Sequence, residues 1–364
     1  MPTNVGSPFS STMTARFWSY TYHFKRPAGT SRGVMHVKPA YFLEVTVGGW
    51  MGQGECGLLP GLSVDDHPDY AEKLQALCDL IQTSGEAAWK AWANEGLPDA
   101  VWSHWLAWPS ILFAWEQALL SWSDASSGGN GKRLFDSAFA RKEAGIPING
   151  LLWMGDSCYL SEQSEVRIQE GFDCIKMKIG ALALDQERAI LTDLRHSRPD
   201  IQLRVDANGA FNADEALAVM ETLRSFKLHS VEQPCPATDR DGLARVAAQG
   251  AIPTALDESL IGVIEPAKRD ELLDEIRPQY IVLKPSLLGG FRSCEDWIQR
   301  AEARGIGWWI TSALEGAVGL SAIAQWTATL PRLKGYQGLG TGSLYTNNLP
   351  ARTEVKSGQL WMLG

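Results

Sequence analysis

Two hydrophobic rhythms divide this chain. Between residues 15 and 60, apolar and polar positions alternate in RFWSYTYHF, AYFLEVTVGG and MGQGECGLL, with Gly and Pro punctuating RPAGTSRG and LLPGLS. Alternation of period two bounded by turn residues predicts a small antiparallel sheet. Residues 66–126 change to helical spacing, ending in WPSILFAWEQALLSWSDA, and SSGGNGK at 126–132 reads as a flexible connector. From about residue 146 the second rhythm begins. Eight short apolar runs, IPINGLL, CIKMKIG, IQLRVDAN, LHSVEQP, AIPTALDES, YIVLKPS, GWWITSAL and YQGLGTG, are separated by helix-like stretches such as DQERAILTDLRHS and NADEALAVMETLRSF. A strand, a loop and a helix together take about this length, so the pattern predicts βα units closing into a parallel barrel. The fold class is therefore α/β, with an α+β domain over 14–130 and a TIM-like barrel over 146–349. The tail, RTEVKSGQLWML, alternates again without a following helix. It is expected to return to the first domain as an edge strand, which assigns 350–364 to that domain.

Ionisable groups stand at five consecutive strand ends. Asp206, Glu232 and Asp257 close LRVD, SVE and TALD at spacings of 26 and 25 residues, and Lys178 and Lys284 flank them at 28 and 27 residues. In a parallel barrel the C-terminal strand ends meet, so three acids converge between two amines. Three carboxylates suit one face of an oxygen-liganded Mg²⁺, with Mn²⁺ as the alternative ion. Helix N-caps are the competing reading for any one acid. No Cys or His accompanies them, which disfavours zinc. Alternation places Lys176 on the same face as Lys178. Neighbouring ammonium groups depress one another's pKa from about 10.4 toward neutrality, which makes one of the pair a usable general base. By the same parity Arg204 lies one layer below Asp206, either anchoring a substrate anion or orienting the acids, and Asn208 lies above it. Ser312 and Gly340 occupy the seventh and eighth strand ends at the same 28-residue spacing, as candidate substrate contacts. Arg32, in the Gly-flanked loop RPAGTSRG, either closes over the site and captures a carboxylate or is an exposed loop arginine.

Composition narrows the function classes. A chain of 364 residues has length for two domains and a large core. A net charge of −9 disfavours nucleic acid as a partner, while leaving a small anionic substrate open. The six cysteines form no CxxC pair. No apolar run reaches spanning length, so no membrane partner is expected, and a cytoplasmic location with reduced thiols fits. Residues 1–13 lack the regions of a secretory signal and read as a disordered leader, or as an extension ahead of a start at Met13. GQGECG at 52–57 formally matches GxGxxG, but LLPGLS follows it rather than a helix, so nucleotide binding is rejected. The tryptophans at 102, 105, 108 and 115 read as core or domain interface.

Taken together, KMK, VDAN, VEQP, LDES and LKP resemble the enolase superfamily in its muconate-lactonising branch, over nearly the whole chain. The resemblance implies a modified (β/α)7β barrel with an α+β cap. It implies that Asp206, Glu232 and Asp257 bind Mg²⁺, that Lys178 abstracts a proton alpha to the substrate carboxylate, and that Lys284 steadies the enediolate from the opposite side. FKRPAGTSRG, GECGLLPG, WPSILFAWEQAL, ITSALEGAVGL and GLGTGSLYTNNLP are similar to members of that branch that dehydrate 2-succinyl-6-hydroxy-2,4-cyclohexadiene-1-carboxylate to 2-succinylbenzoate in menaquinone biosynthesis. Racemisation of N-acylamino acids and dipeptide epimerisation are the alternatives within the superfamily. GLGTG, however, lacks the acidic pair with which such epimerases grip a peptide ammonium. A non-catalytic metal-binding barrel would need no amines. The resemblance leaves a homo-oligomer open.

Overall fold

The computed structural model describes residues 13–30, 33–153 and 155–363. The first rhythm folds as expected. Strands β1 (Thr14–Thr30), β2 (Gly33–Val47) and β3 (Trp50–Cys56) form an antiparallel sheet in that order. Helices α1 (Tyr70–Glu95) and α3 (Pro109–Ser126) pack against it, and α2 (Asp99–Trp105) packs on α3. The glycines of GQGECG bring β3 against α3: a Cβ at Gly52 or Gly54 would lie 2.1 Å or 1.9 Å from the carbonyl oxygens of Ala118 and Ala114. Trp89, Trp102, Trp105 and Trp115 fill the core between helices and sheet, so these tryptophans are packing residues.

The second rhythm gives the barrel. After β4 (Ile146–Pro147) and β5 (Gly150–Leu152), strands and helices alternate: α4 (Ser157–Gln169), β6 (Cys174–Lys178), α5 (Leu184–Ser197), β7 (Gln202–Asp206), α6 (Ala213–Leu223), β8 (Ser230–Glu232), α7 (Arg240–Gln249), β9 (Thr254–Leu256), α8 (Pro266–Ile276), β10 (Tyr280–Leu283), α9 (Pro285–Leu288), α10 (Gly290–Ala303), β11 (Gly307–Ile310) and α11 (Ala317–Thr327). Strands β5 to β11 form one parallel sheet in sequence order. The eighth run contributes two parallel bridges, Gln337 to Ile148 and Gly338 to Thr311, which join the two edges of that sheet. Local chemistry sets the helix starts. Asn212 and Glu215 form a reciprocal capping box on α6, and Asp156 and Asp239 cap α4 and α7. The apolar residues of strands and helices, among them Ile175, Val205, Val231 and Leu283, form one continuous buried cluster.

Two acids, the buried Glu55 and the half-buried Glu116, join cap to barrel. Glu55 of β3 accepts from the backbone N–H groups of Gly316 (2.6 Å) and Gly319 (2.8 Å) at the start of α11. There the carboxylate satisfies otherwise orphaned amides. Glu116 of α3 accepts from Phe291 N–H at 2.5 Å. The cap strand β1 also reaches the barrel mouth, where Lys25 N–H donates to Leu344 and Thr346 N–H donates to His23.

The tail departs from expectation. Strands β12 (Thr353–Lys356) and β13 (Gln359–Met362) form a small sheet with β4 rather than with the first-domain sheet. Leu360 belongs to the barrel core, so burying that side chain directs the tail to the barrel, and its hydrogen bond to the cap runs from Arg352 to Gln53. The proposed leader lies outside the described residues except for Met13. Arg32 lies outside them altogether.

Candidate active site

Pleat and register assemble the site. On β6, Lys176 and Lys178 share a face, and Lys178 pairs in register with Asp206, which in turn pairs with Glu232 on β8. Asp257 and Lys284 follow immediately after β9 and β10. All six are at least largely buried, the acids almost completely. Lys176 Nζ bridges Glu232 Oε1 at 2.5 Å and Asp206 Oδ2 at 2.9 Å. Lys178 Nζ lies 3.2 Å from Asp206 Oδ2 and donates to Asn208 Oδ1. Lys284 donates to Asp257 Oδ2. A cavity of about 460 Å³ opens onto Lys178, Lys284, Asp206 and Asn208, with Leu59, Leu62, Trp153 and Leu314 as its apolar walls. Ser312 and Gly340 line it, and Ser312 Oγ shares a hydrogen bond with Thr341.

The electrostatics follow from burying opposite charges together. Burial favours neutral Asp206, but Lys176 and Lys178 outweigh it and hold its pKa below the usual carboxylate range. Glu232 is pushed up to about 8, first by burial and then by the charge of Asp206, against the pull of Lys176. At Lys176 the expected depression is reversed. Burial lowers its pKa, yet Asp206, Glu232 and Asp257 raise it above the ordinary lysine value. The acids at 2.5 and 2.9 Å outweigh a neighbouring ammonium. Lys176 therefore serves here as the ion-pair centre of the cluster. Lys284 is likewise raised: burial opposes it, and Asp257, Glu258 and Glu232 prevail.

Among the described residues, no three His, Cys, Asp or Glu side chains are arranged to hold a metal ion. Ammonium groups stand between the acids instead. The donor set nevertheless suits a hard divalent cation, because every candidate ligand is a carboxylate oxygen. Glu232 Oε2 is also buried without a hydrogen-bond partner, a costly state for a carboxylate oxygen that a cation would relieve.

Arg204 does not reach the cavity. Its guanidinium donates to Tyr336 O at 2.9 Å and lies 4.1 Å from the ring centroid of Trp309, on the barrel floor. Lys176, at the same register on β6, lines the cavity, whereas the Arg204 guanidinium is engaged by Tyr336 O and Trp309 instead. Two residues that sequence reading passed over do belong to the site. Glu258 lines the cavity and accepts from Asn208 Nδ2 at 2.9 Å. Gln233 is buried behind Asp257, and its side chain donates or accepts five hydrogen bonds. Its position inside VEQP, a polar residue directly after a strand-end acid, was the available signal.

This parallel barrel with strand-end acids and amines has known counterparts. A family model described as enolase C-terminal domain-like matches residues 159–362. An o-succinylbenzoate synthase from Desulfotalea psychrophila is 44% identical over 93% of this chain and 95% of its own length. The crystal structure of MenC from the same organism superposes with a TM-score of 0.84 at 38% identity, covering 97% of this chain and 100% of that one. This chain therefore belongs to the o-succinylbenzoate synthase family of the enolase superfamily. A dipeptide epimerase from Enterococcus faecalis, solved with Mg and the dipeptide L-Leu-L-Tyr, shares the fold at 19% identity and a TM-score of 0.78, with 96% of each chain covered.

Proposed function

We propose that this chain dehydrates 2-succinyl-6-hydroxy-2,4-cyclohexadiene-1-carboxylate to 2-succinylbenzoate, the step that forms the aromatic ring in menaquinone biosynthesis. The observation that carries this reading is the placement of two amines around a buried cluster of three carboxylates, of which Asp206 opens onto the cavity. Lys178 ends β6 and Lys284 follows β10, with β7, β8 and β9 between them. In a ring of eight strands these are opposite sides. The extensive similarity to the Desulfotalea psychrophila enzyme supports the same reaction.

Asp206, Glu232 and Asp257 would hold a divalent cation, Mg²⁺ in the first instance and Mn²⁺ as the alternative. When bound, it supplies positive charge beside the ring carboxylate and so lowers the cost of enediolate formation. Lys178 takes the proton alpha to that carboxylate. Asn208 holds the amine through its carbonyl oxygen. Lys284, on the far side of the ring, places an ammonium against the developing negative charge. Lys178 then returns its proton to the departing hydroxyl, so that water leaves and the ring becomes aromatic. One amine thus acts as base and then as acid. The apolar walls provided by Leu59, Leu62 and Leu314 exclude water from these charges. Ser312 and Gly340 would contact the substrate.

Incubating the protein with MgCl2 and the cyclohexadiene acid tests the reading directly. Ultraviolet absorbance should change as the ring aromatises. No turnover in a folded, metal-replete sample would sink it. Racemisation of an N-acylamino acid is a second reading supported by the same opposed amines, which would deprotonate one face and reprotonate the other. Exchange of the alpha proton of an N-succinylamino acid in D2O would reveal it.

A further inference from the structure

We propose that Gln233 is the positioning residue that sets the mutual placement of the three metal-binding carboxylates. This inference rests on the metal reading above. Gln233 directly follows Glu232 and is almost completely buried, at a positive φ of 40°. That left-handed conformation is uncommon for a residue with a long side chain. It turns the chain so that the backbone and the carboxamide of one residue reach two neighbouring loops. On one side, the Gln233 carbonyl accepts from Gly209 N–H at 2.7 Å, in the loop that follows Asp206 and carries Asn208. On the other, Gln233 N–H donates to Ala255 O at 2.8 Å, and Oε1 accepts from Asp257 N–H at 3.0 Å and Ser259 N–H at 3.2 Å. Nε2 donates to Cys235 O at 2.9 Å and to Ser259 Oγ at 2.8 Å.

The partners require an amide. Backbone N–H groups can only donate and the Cys235 carbonyl can only accept, so the side chain must present an acceptor on one arm and a donor on the other. A glutamate would lose the donation and add a charge beside Asp257. An apolar side chain would leave the Asp257 and Ser259 amides and the Cys235 carbonyl without this partner in the interior. The consequence falls on geometry: the chain beyond Asp206 is tied to Gln233 through its backbone carbonyl, and the segment of Asp257 through its carboxamide. Such outer partners fix ligand orientation, and their loss commonly weakens metal binding by about 10–100-fold.

Gln233→Met and Ser259→Ala test the assignment, the second removing one donor and one acceptor of the carboxamide with less disturbance. Mg²⁺ dissociation constants would be measured by titration calorimetry on folded protein, together with the rise in Tm produced by MgCl2 and kcat as a function of MgCl2. Gln233→Met should bind Mg²⁺ about 10–100-fold more weakly, and excess MgCl2 should restore much of its kcat. A merely structural defect would lower Tm without that rescue. Ser259→Ala should weaken Mg²⁺ several-fold, in the range expected for one lost outer hydrogen bond. If Gln233→Met fails to fold, Ser259→Ala decides the question. Wild-type Mg²⁺ affinity in whichever variants fold would overturn the role of Gln233 while leaving the metal reading intact. Failure of the wild-type protein to bind Mg²⁺ would overturn the metal reading, and this inference with it.

Discussion

The mouth and the floor of the barrel are built on the same strands and bury the same kinds of charge, yet they solve the burial problem differently. At the mouth, Lys176, Lys178 and Lys284 each meet a carboxylate, and a cavity lies above them. On the floor, only two residues earlier on β7, Arg204 has a backbone carbonyl and the face of Trp309, and His229 packs against Tyr280 with ring centroids 4.5 Å apart. A guanidinium is weakly hydrated and tolerates carbonyls and ring faces. Clustered carboxylates must be neutralised by nearby cations. The mouth therefore depends on charge balance that a ligand can perturb, whereas the floor is a closed packing arrangement.

Substitutions can break or sharpen that contrast. The largest effect is expected at the amines. Lys178→Ala should lower kcat by about 10³-fold or more, in line with loss of a general base, with an unchanged circular dichroism spectrum. Lys284→Ala should lose a comparable factor. Near-native turnover by Lys178→Ala would remove it from the reaction. Next comes the balance itself. Asp257→Asn leaves the Lys284 ammonium without its buried partner and should destabilise the metal-free protein by about 3–5 kcal/mol. Denaturant titration without metal measures this, and a loss below about 1 kcal/mol would show that the mouth is not held by charge pairing.

The floor predicts a smaller, pH-dependent effect. His229 is pushed down to about 4 by burial and then by Arg204. A ring depressed in the fold favours the neutral form, so its contribution is present above the unfolded value near 6.5 and lost as the pH falls through about 4. Roughly 2 kcal/mol should disappear across that window after allowance for solvent screening. His229→Gln should remove this part of the slope. Arg204→Met is expected to do least. It should change kcat by no more than about twofold and stability by about 1 kcal/mol in either direction, because exchanging a buried cation for an apolar chain of similar volume is often near neutral. A large loss of kcat would restore Arg204 to the site.

The sequence by itself determined the layers and which ionisable groups stand at the strand ends. Alternation gave the cap sheet, the helical spacing gave its helices, and the evenly spaced apolar runs gave the barrel, because burial of a regular element imposes its period on the chain. A strand-end position plus parity brought Lys178, Asp206, Glu232, Asp257 and Lys284 to one end, since in a parallel barrel those ends share a face. Only the tertiary structure decided what each group meets. It gave Lys176 two acids rather than a repelling amine, and sent Arg204 to the floor. It paired β13 with β4, and placed the Gln233 amide between its own loop and the segment of Asp257 and Ser259. These outcomes depend on depth along a strand, on loop conformations such as the positive φ of Gln233, and on partners far away in sequence. A local hydrophobic period carries none of that information.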